Sequence, residues 1–94
     1  MNSEATSLLE TELAALRQRP YQDLVIHMAA GPLSCERVGV SGAKYQIEIQ
    51  AFWDDRPGGN IRVMGSVDDG TLLRATMPVS RDFIMAPNGS FIGE

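Results

Sequence analysis

The alternation of polar and apolar residues from Lys44 to Asp54 is the feature that most constrains the fold of this 94-residue chain. A period of two places successive side chains on opposite faces of an extended strand. The even positions are polar except for Phe52, and the odd positions are all apolar: Tyr45, Ile47, Ile49, Ala51 and Trp53. The segment is therefore predicted to be a half-buried strand whose apolar face requires a second layer to cover it.

An earlier strand, at about 36–40, is predicted to pair with this one in a hairpin. Ser41 and Gly42 form a two-residue loop between them. A loop of that length fixes which residues face each other. The apolar side chains then share one face, and the expected opposed pairs are Val38 with Tyr45 and Val40 with Ala43.

A third strand, at about 60–67, is predicted to follow a turn-rich loop from Asp54 to Asn60, across which Trp53 faces Ile61. A fourth strand, at about 71–79, would follow the Asp-Asp-Gly turn at 68–70. A three-residue loop there, closed by a bulge, keeps all apolar sets on one face. The expected opposed pairs are Val67 with Thr71, Gly65 with Leu73, Val63 with Ala75 and Ile61 with Met77.

The chain before the strands is predicted to be helical. Leu9, Leu13 and Leu16 recur at i, i+4 and i+7, which is the spacing of one apolar helix stripe. Either Ser3 or Ser7 is in position to cap the start of this helix.

A second helix is predicted to begin at Pro20, because the N–H that proline lacks would have no hydrogen-bond partner in the first helical turn. Gly31 and Pro32 mark its end. Its apolar stripe consists of Tyr21, Leu24, Val25 and Met28.

Together these elements predict a single α+β domain over 1–94. A helical pair at about 4–31 packs on one face of a four-stranded antiparallel meander at about 35–80, which makes a two-layer sandwich. The C-terminal tail, at about 81–94, is expected to fold back because its large apolar side chains would otherwise meet water. These side chains are Phe83, Ile84, Phe91 and Ile92.

Composition narrows the classes of partner. The formal net charge of -4 repels phosphate backbones, so we expect no nucleic-acid partner. No apolar run approaches the roughly 20 residues that span a bilayer, so we expect no membrane association. Cys35 is the only cysteine, and the amino terminus is acidic where a leader would be basic and then apolar. We therefore expect a cytoplasmic protein.

The loop after the second strand is one candidate site, formed by Trp53, Asp54, Asp55 and Asn60. Neighbouring carboxylates can bind a hard cation or act as acid and base. The spacing is not that of an EF-hand, and Arg56 offers the carboxylates a competing partner. Turn formation is the favoured interpretation, and we expect no metal and no cofactor.

His27 with Cys35 is the one pair that has the chemistry of a base and a nucleophile. No motif of a cysteine-nucleophile family surrounds Cys35, which is more typical of a small buried residue. We therefore predict no catalytic residue, and an enzyme is the less favoured interpretation.

The outer face of the predicted sheet is a second candidate site. Polar side chains there are interleaved with apolar ones and arginine, a composition typical of protein interfaces. A few exposed apolar residues are also normal on a solvated surface, and both interpretations stay open. The candidate binding residues are Phe52, Arg62, Met64, Leu72 and Arg74.

The favoured function is a non-enzymatic protein-protein interaction or regulatory module that associates with itself as a homodimer, through the outer face or an edge strand. Self-association suits a chain with so small a core. The alternative is a small ligand- or metal-binding domain or enzyme centred on the loop from Asp54 to Asn60. Nucleic-acid binding through the sheet has support only from Phe52, Arg62 and Arg74.

Overall fold

The computed structural model describes residues 3–68 and 79–94. Its elements are α1 (Ser3–Arg17), α2 (Tyr21–Ala30), β1 (Leu33–Val38), β2 (Lys44–Trp53), β3 (Ile61–Asp68) and β4 (Val79–Met85). The strands form one antiparallel sheet in the order β1-β2-β3-β4, and both helices pack against it. The predicted architecture, two helices on a four-stranded antiparallel sheet, is confirmed.

Local signals mark the start of α1 and both ends of α2. α1 begins at Ser3, so Ser7 lies inside the helix and does not cap it. Pro20 immediately precedes α2 with a φ of -66, and Gly31 follows it with a φ of 93. That positive φ lies in a region that glycine adopts without steric cost.

The core lies between the helices and the inner face of the sheet, to which the odd-numbered strand residues point. α1 contributes Leu9 and Leu13, and α2 contributes Leu24. The predicted alternation of β2 is confirmed, because its even residues are exposed and its odd residues are buried or half-buried. The buried side chains of the sheet are Tyr45, Ile47, Ile49, Ile61, Val63, Val67, Phe83 and Met85.

Gly65 lets α1 approach β3 closely. A Cβ atom at this position would lie 2.8 Å from Cδ1 of Leu9 and 3.3 Å from Cδ2 of Leu13. Both distances are below the optimal separation of carbon atoms, which is about 3.5–4.0 Å. The absence of a side chain at Gly65 therefore sets the depth at which α1 sits on the sheet.

The first hairpin departs from the predicted register. β1 ends at Val38, and Tyr45 faces Arg37 instead of Val38. A shift of one residue turns every side chain to the opposite face. Val38 is consequently 60% exposed, and Val40, which the sequence predicts on the inner face opposite Ala43, is fully exposed in the loop.

An ion pair between the two layers accounts for this shift. Nε of Arg37 donates a hydrogen bond to the Glu12 carboxylate of α1 at 2.9 Å, which places Arg37 on the inner face. The loop is also longer than two residues. The N–H of Gly39 bonds to the carbonyl of Ala43, and the N–H of Gly42 bonds to the carbonyl of Gly39, both at 2.9 Å. This longer loop permits the register that the ion pair favours.

The fourth strand lies later in the chain than predicted. β3 pairs with Val79–Met85, so the predicted partners between 71 and 77 are wrong. Most of the predicted strand falls within 69–78, outside the described residues. The observed pairs are Val67 with Val79, Gly65 with Arg81, Val63 with Phe83 and Ile61 with Met85.

Burial of larger side chains accounts for the later strand. Phe83 occupies the position opposite Val63 that the sequence predicts for Ala75. An aromatic ring buries more apolar surface there than a methyl group does. The predicted tail at 81–94 is therefore corrected in its first part, because residues 81–85 belong to the sheet.

Candidate interaction surfaces

The even-numbered strand residues form the face of the sheet opposite to both helices, which we call the outer sheet face. Strand pairing places them side by side in register. They are Ser34, Glu36 and Val38 on β1; Lys44, Gln46, Glu48, Gln50 and Phe52 on β2; Arg62, Met64, Ser66 and Asp68 on β3; and Ser80, Asp82 and Ile84 on β4.

Three of the five predicted binding residues lie together on the outer sheet face. Phe52 and Arg62 face each other across β2 and β3, and Met64 is the next outward residue along β3. The other two, Leu72 and Arg74, lie outside the described residues. The outer sheet face therefore does bring together those predicted binding residues that the structure describes.

Arg62 is shared by two carboxylates. Its Nε donates a hydrogen bond to Asp54 at 3.0 Å, and its Nη1 donates one to Asp82. The bond to Asp54 is the main cause that raises the pKa of Arg62, and Asp82 acts in the same direction. Phe52 on β2 and Ile84 on β4 occupy the positions on either side of Arg62. The cation is therefore neutralised locally and flanked by apolar side chains.

Sequence patterns missed Asp82 and Ile84 because the predicted fourth strand ends before them. The signal for the observed strand is an alternation of Val79, Phe83 and Met85 that Arg81 interrupts. Arg81 points to the inner face, where Nε lies 3.8 Å from the Glu10 carboxylate of α1. The pairing of an inward arginine with an acidic residue on a helix is the signal that makes this segment a possible strand.

The loop between β2 and β3 brings Asp54, Asp55 and Asn60 together, but it uses their polar atoms internally. Oδ1 of Asp55 accepts hydrogen bonds from the N–H groups of Arg56 at 2.8 Å and Asn60 at 2.9 Å. These bonds, the one from Arg56 foremost, lower the pKa of Asp55. The Asp54 carboxylate accepts its hydrogen bond from Arg62, and the N–H of Asp54 donates one to the carbonyl of Asn60 at 2.8 Å. The carboxylates therefore stabilise the turn.

The remaining loop residue, Trp53, is half-buried against the core and faces Ile61 as predicted. The hydroxyl of Tyr21 donates a hydrogen bond to the carbonyl of Gly59 at 2.6 Å, which joins the loop to α2. Within 3–68 and 79–94, no three His, Cys, Asp or Glu side chains form a group that could hold a metal ion.

The outer edge of β1 presents backbone hydrogen-bonding groups. The N–H of Gly39 donates a hydrogen bond to the carbonyl of Ala43, and this pair continues the β1–β2 register. Every second pair of an antiparallel ladder exchanges backbone hydrogen bonds, so the odd residues of β1 direct their N–H and C=O groups toward β2. The even residues direct theirs away from the sheet. These outward residues are Ser34, Glu36 and Val38.

Few of the described residues make hydrogen bonds to the outer edge of β1. A guanidinium nitrogen of Arg37 donates a hydrogen bond to the Glu36 carbonyl at 3.0 Å. No further strand pairs with the edge within the part of the chain that the structure describes. Leu33, at 45% exposed, and Val38 add apolar side chains to it. We call this surface the β1 edge.

At the opposite edge of the sheet, by contrast, the chain itself covers one end of β4. Phe91 forms an antiparallel bridge with Met85, and the N–H of Ile92 donates a hydrogen bond to the carbonyl of Ile84 at 2.9 Å. The Phe91 ring also meets the Phe83 ring edge-on, with 5.8 Å between centroids. The C-terminal residues therefore occupy the end of β4 that a partner strand would need.

These features define a small α+β protein in which two helices cover one face of an antiparallel sheet. Comparison with protein-family models, with curated proteins and with solved structures finds no match. Among the described residues, no helix combines the length and the apolar character needed to cross a bilayer. Function must therefore be inferred from the two surfaces that no described helix or strand covers, the outer sheet face and the β1 edge.

Proposed function

We propose that the chain is a non-enzymatic protein-interaction module that forms a homodimer by antiparallel pairing of two β1 edges. The supporting observation is the difference between the two sides of the sheet. The C-terminal residues cover the end of β4, whereas no described strand pairs with the β1 edge. Natural proteins usually cover or charge an edge that must stay unpaired. An open edge with Leu33 and Val38 exposed favours strand addition.

Only some registers of this pairing are favourable, because the outward even residues must exchange the new hydrogen bonds. With Glu36 on the twofold axis, its carboxylate would oppose that of the second copy, which is destabilising. With Cys35 on the axis, Ser34 instead faces Glu36 of the second copy, a hydroxyl beside a carboxylate. Leu33 then faces Arg37 of the second copy. We favour the register with Cys35 on the axis.

Dimerisation also suits the small size of the core. A chain of 94 residues with one cysteine has no internal disulfide to add stability. Covering Leu33 and Val38 would contribute about 25 cal/mol for each Å² of apolar surface removed from water. We place the module in the cytoplasm as part of the same proposal, because the free thiol of Cys35 suits a reducing compartment.

The test compares the oligomeric state of Glu36→Pro with that of Glu36→Gln. Proline removes an N–H that points to the open edge and spares the bonds between β1 and β2. Glutamine removes the same charge and keeps the N–H. Light scattering over a concentration series should show the parent chain and Glu36→Gln moving from 10.2 kDa toward twice that mass. Glu36→Pro should stay at 10.2 kDa with an unchanged circular dichroism spectrum.

Two results would overturn the dimer: a parent chain that remains at 10.2 kDa at its highest soluble concentration, or a Glu36→Pro variant that still dimerises. If Glu36→Pro fails to fold, Val38→Lys replaces it, since an added charge at an edge opposes pairing. The parent dimer should strengthen as salt rises, because each copy carries a net charge of -4.

The alternative function, a ligand- or metal-binding site or enzyme centred on the loop from Asp54 to Asn60, lacks comparable support. Asp55 already accepts two backbone hydrogen bonds, and Asp54 already pairs with Arg62. We therefore propose no second function for the loop.

A further inference from the structure

Ion pairs balance the charges on the helical side of the protein. Each arginine there pairs with one carboxylate: Arg17 with Glu94, Arg19 with Asp23, Arg37 with Glu12 and Arg81 with Glu10. These pairs contribute no net charge. Among the described residues, Glu4 is the remaining acidic residue on that side, and it accepts hydrogen bonds from the hydroxyls of Ser41 and Tyr45.

The described part of the outer sheet face, together with Asp54 just beyond β2, carries more acidic than basic residues. It carries five acidic residues against two basic ones: Glu36, Glu48, Asp54, Asp68 and Asp82 against Lys44 and Arg62. In the loop after β2, Asp55 formally offsets Arg56. Among the described residues, the outer sheet face therefore carries an excess of three formal negative charges.

An apolar corner adjoins this negative charge. Phe52, at 38% exposed, lies on one side of Arg62, and Ile84 lies on the other. Met64 follows along β3, and Ile92, at 44% exposed, bonds to the backbone of Ile84. Aromatic, methionine and arginine side chains are enriched in protein interfaces. The corner therefore offers an apolar anchor beside a charged surface.

We infer that the outer sheet face docks a basic polypeptide segment, rich in lysine or arginine, with an apolar side chain placed at the corner of Phe52 and Ile84. Charge complementarity identifies this occupant. A second copy would bring an equally acidic face against the first, and phosphate groups would be repelled. In the proposed dimer, opposed residues point to the same side of the sheet, so both outer sheet faces stay open.

The first test uses the full chain and a short synthetic peptide of alternating lysine and leucine. A peptide of alternating glutamate and leucine is the charge-reversed control. Binding is followed through backbone amide shifts at low salt, because the screening length is about 30 Å at 0.01 M. The lysine peptide should shift the amides of Glu48, Met64 and Asp82 most, and the glutamate peptide should shift none of them.

Charge-matched double variants separate the outer sheet face from a general attraction between opposite charges. Glu36→Gln with Glu48→Gln removes two outer charges, whereas Glu10→Gln with Asp23→Asn removes two from the helical side. Exposed ion pairs contribute modestly, so the outer double variant should raise the Kd of the lysine peptide about fivefold. The helical double variant should raise it less than about twofold.

Three results would overturn this inference: no binding at low salt, equal losses in the two double variants, or shifts centred on α1 and α2. Failure of the dimer is distinguishable from failure of the docking surface. A monomeric chain that binds the lysine peptide at the outer sheet face overturns only the dimer. A dimer that does not bind the peptide overturns only the docking surface.

Discussion

Arg17 lies over the ring of Phe91, with 4.1 Å between the guanidinium carbon and the ring centroid. The same guanidinium donates hydrogen bonds to both carboxylate oxygens of Glu94. Phe91 in turn forms the bridge to Met85 that covers the end of β4. One side chain in the last turn of α1 therefore holds the C-terminal residues against the sheet.

We expect Arg17→Ala to lower the free energy of unfolding by about 1 kcal/mol, since an exposed cation–π contact contributes about 0.5–1 kcal/mol. The N–H of Ile92, which bonds to the carbonyl of Ile84, should also exchange faster with solvent. Chemical denaturation and amide exchange measure the two effects. Arg19→Ala is the control, because Arg19 and Asp23 form an exposed pair whose loss should cost little. Equal effects of the two variants would contradict the anchoring role.

Gly65→Ala should destabilise the fold by about 1–3 kcal/mol, the usual cost of overpacking a core. The added Cβ would lie 2.8 Å from Cδ1 of Leu9, so α1 or that side chain must move. Combining it with Leu9→Ala should give a smaller loss than the sum of the two single variants, because the clash is then removed. Thermal or urea unfolding of the four proteins completes the cycle. Strict additivity would show that Gly65 does not set the approach of α1.

Elements governed by a local period could be predicted from the sequence. The alternation from Tyr45 to Trp53 gave the correct faces of β2, and the loop from Asp54 to Asn60 allowed the correct pairing of Trp53 with Ile61. Periodicity and turn chemistry involve only neighbouring residues, so both are visible in one sequence.

The shifted register of the first hairpin and the later position of the fourth strand both have causes distant in sequence. Arg37 and Arg81 both point to the inner face, where α1 supplies Glu12 and Glu10 as partners. No local pattern reveals that an inward charge will be paired. The segment at 71–79 alternates more regularly in sequence, so the pattern favours it over the strand that Arg81 interrupts. The same error hid the contribution of β4 to the outer sheet face.

The Glu4 carboxylate makes the contact between α1 and the first hairpin sensitive to acid. It accepts hydrogen bonds from the Ser41 hydroxyl at 2.7 Å, from the Ser41 N–H at 3.1 Å and from the Tyr45 hydroxyl at 2.9 Å. These bonds, with the Ser41 hydroxyl foremost, lower the pKa of Glu4 below 4.5. A lowered pKa in the folded state gives a stabilising contribution that is complete above the unfolded value and is lost as pH falls through the folded one.

We therefore expect Glu4→Gln to melt at a lower temperature than the parent at neutral pH, with the difference shrinking below pH 4.5. Thermal melts from neutral pH down to about pH 2 measure this convergence. Glu10→Gln is the control, because among the described residues the polar contact of the Glu10 carboxylate is the 3.8 Å one with Arg81. A deficit in Glu4→Gln that stays constant with pH would show that the charge of Glu4 is not what stabilises the contact.

Asp55→Ala should lower the melting temperature, because the N–H groups of Arg56 and Asn60 lose their acceptor. The melting temperature of Asp55→Asn should lie between those of Asp55→Ala and the parent, since the amide oxygen of asparagine can still accept a hydrogen bond. Adding Ca²⁺ or Mg²⁺ should leave all three melting temperatures unchanged. A cation-induced rise in the parent that Asp55→Asn abolishes would instead support the alternative loop site.

The dimer register with Cys35 on the axis makes a chemical prediction. Directly opposed residues of a non-hydrogen-bonded antiparallel pair have Cα atoms about 4.5 Å apart. That distance lies within the range of about 4.4–6.8 Å that a disulfide accepts. Treatment with diamide should therefore join two copies through Cys35, as each thiol loses a proton and an electron and the diazene is reduced to its hydrazine.

Non-reducing electrophoresis and peptide mass spectrometry measure this cross-link. The linked dimer should form at concentrations where light scattering detects the free dimer, and Glu36→Pro should prevent it. Moving the thiol by one residue tests the register itself. Cys35→Ser with Glu36→Cys should cross-link slowly, because position 36 faces position 34 of the second copy and not its own counterpart. Faster cross-linking of that variant than of the parent would place position 36 on the axis. The Glu36 carboxylates of the two parent copies would then face each other, and their protonation in acid would strengthen the dimer.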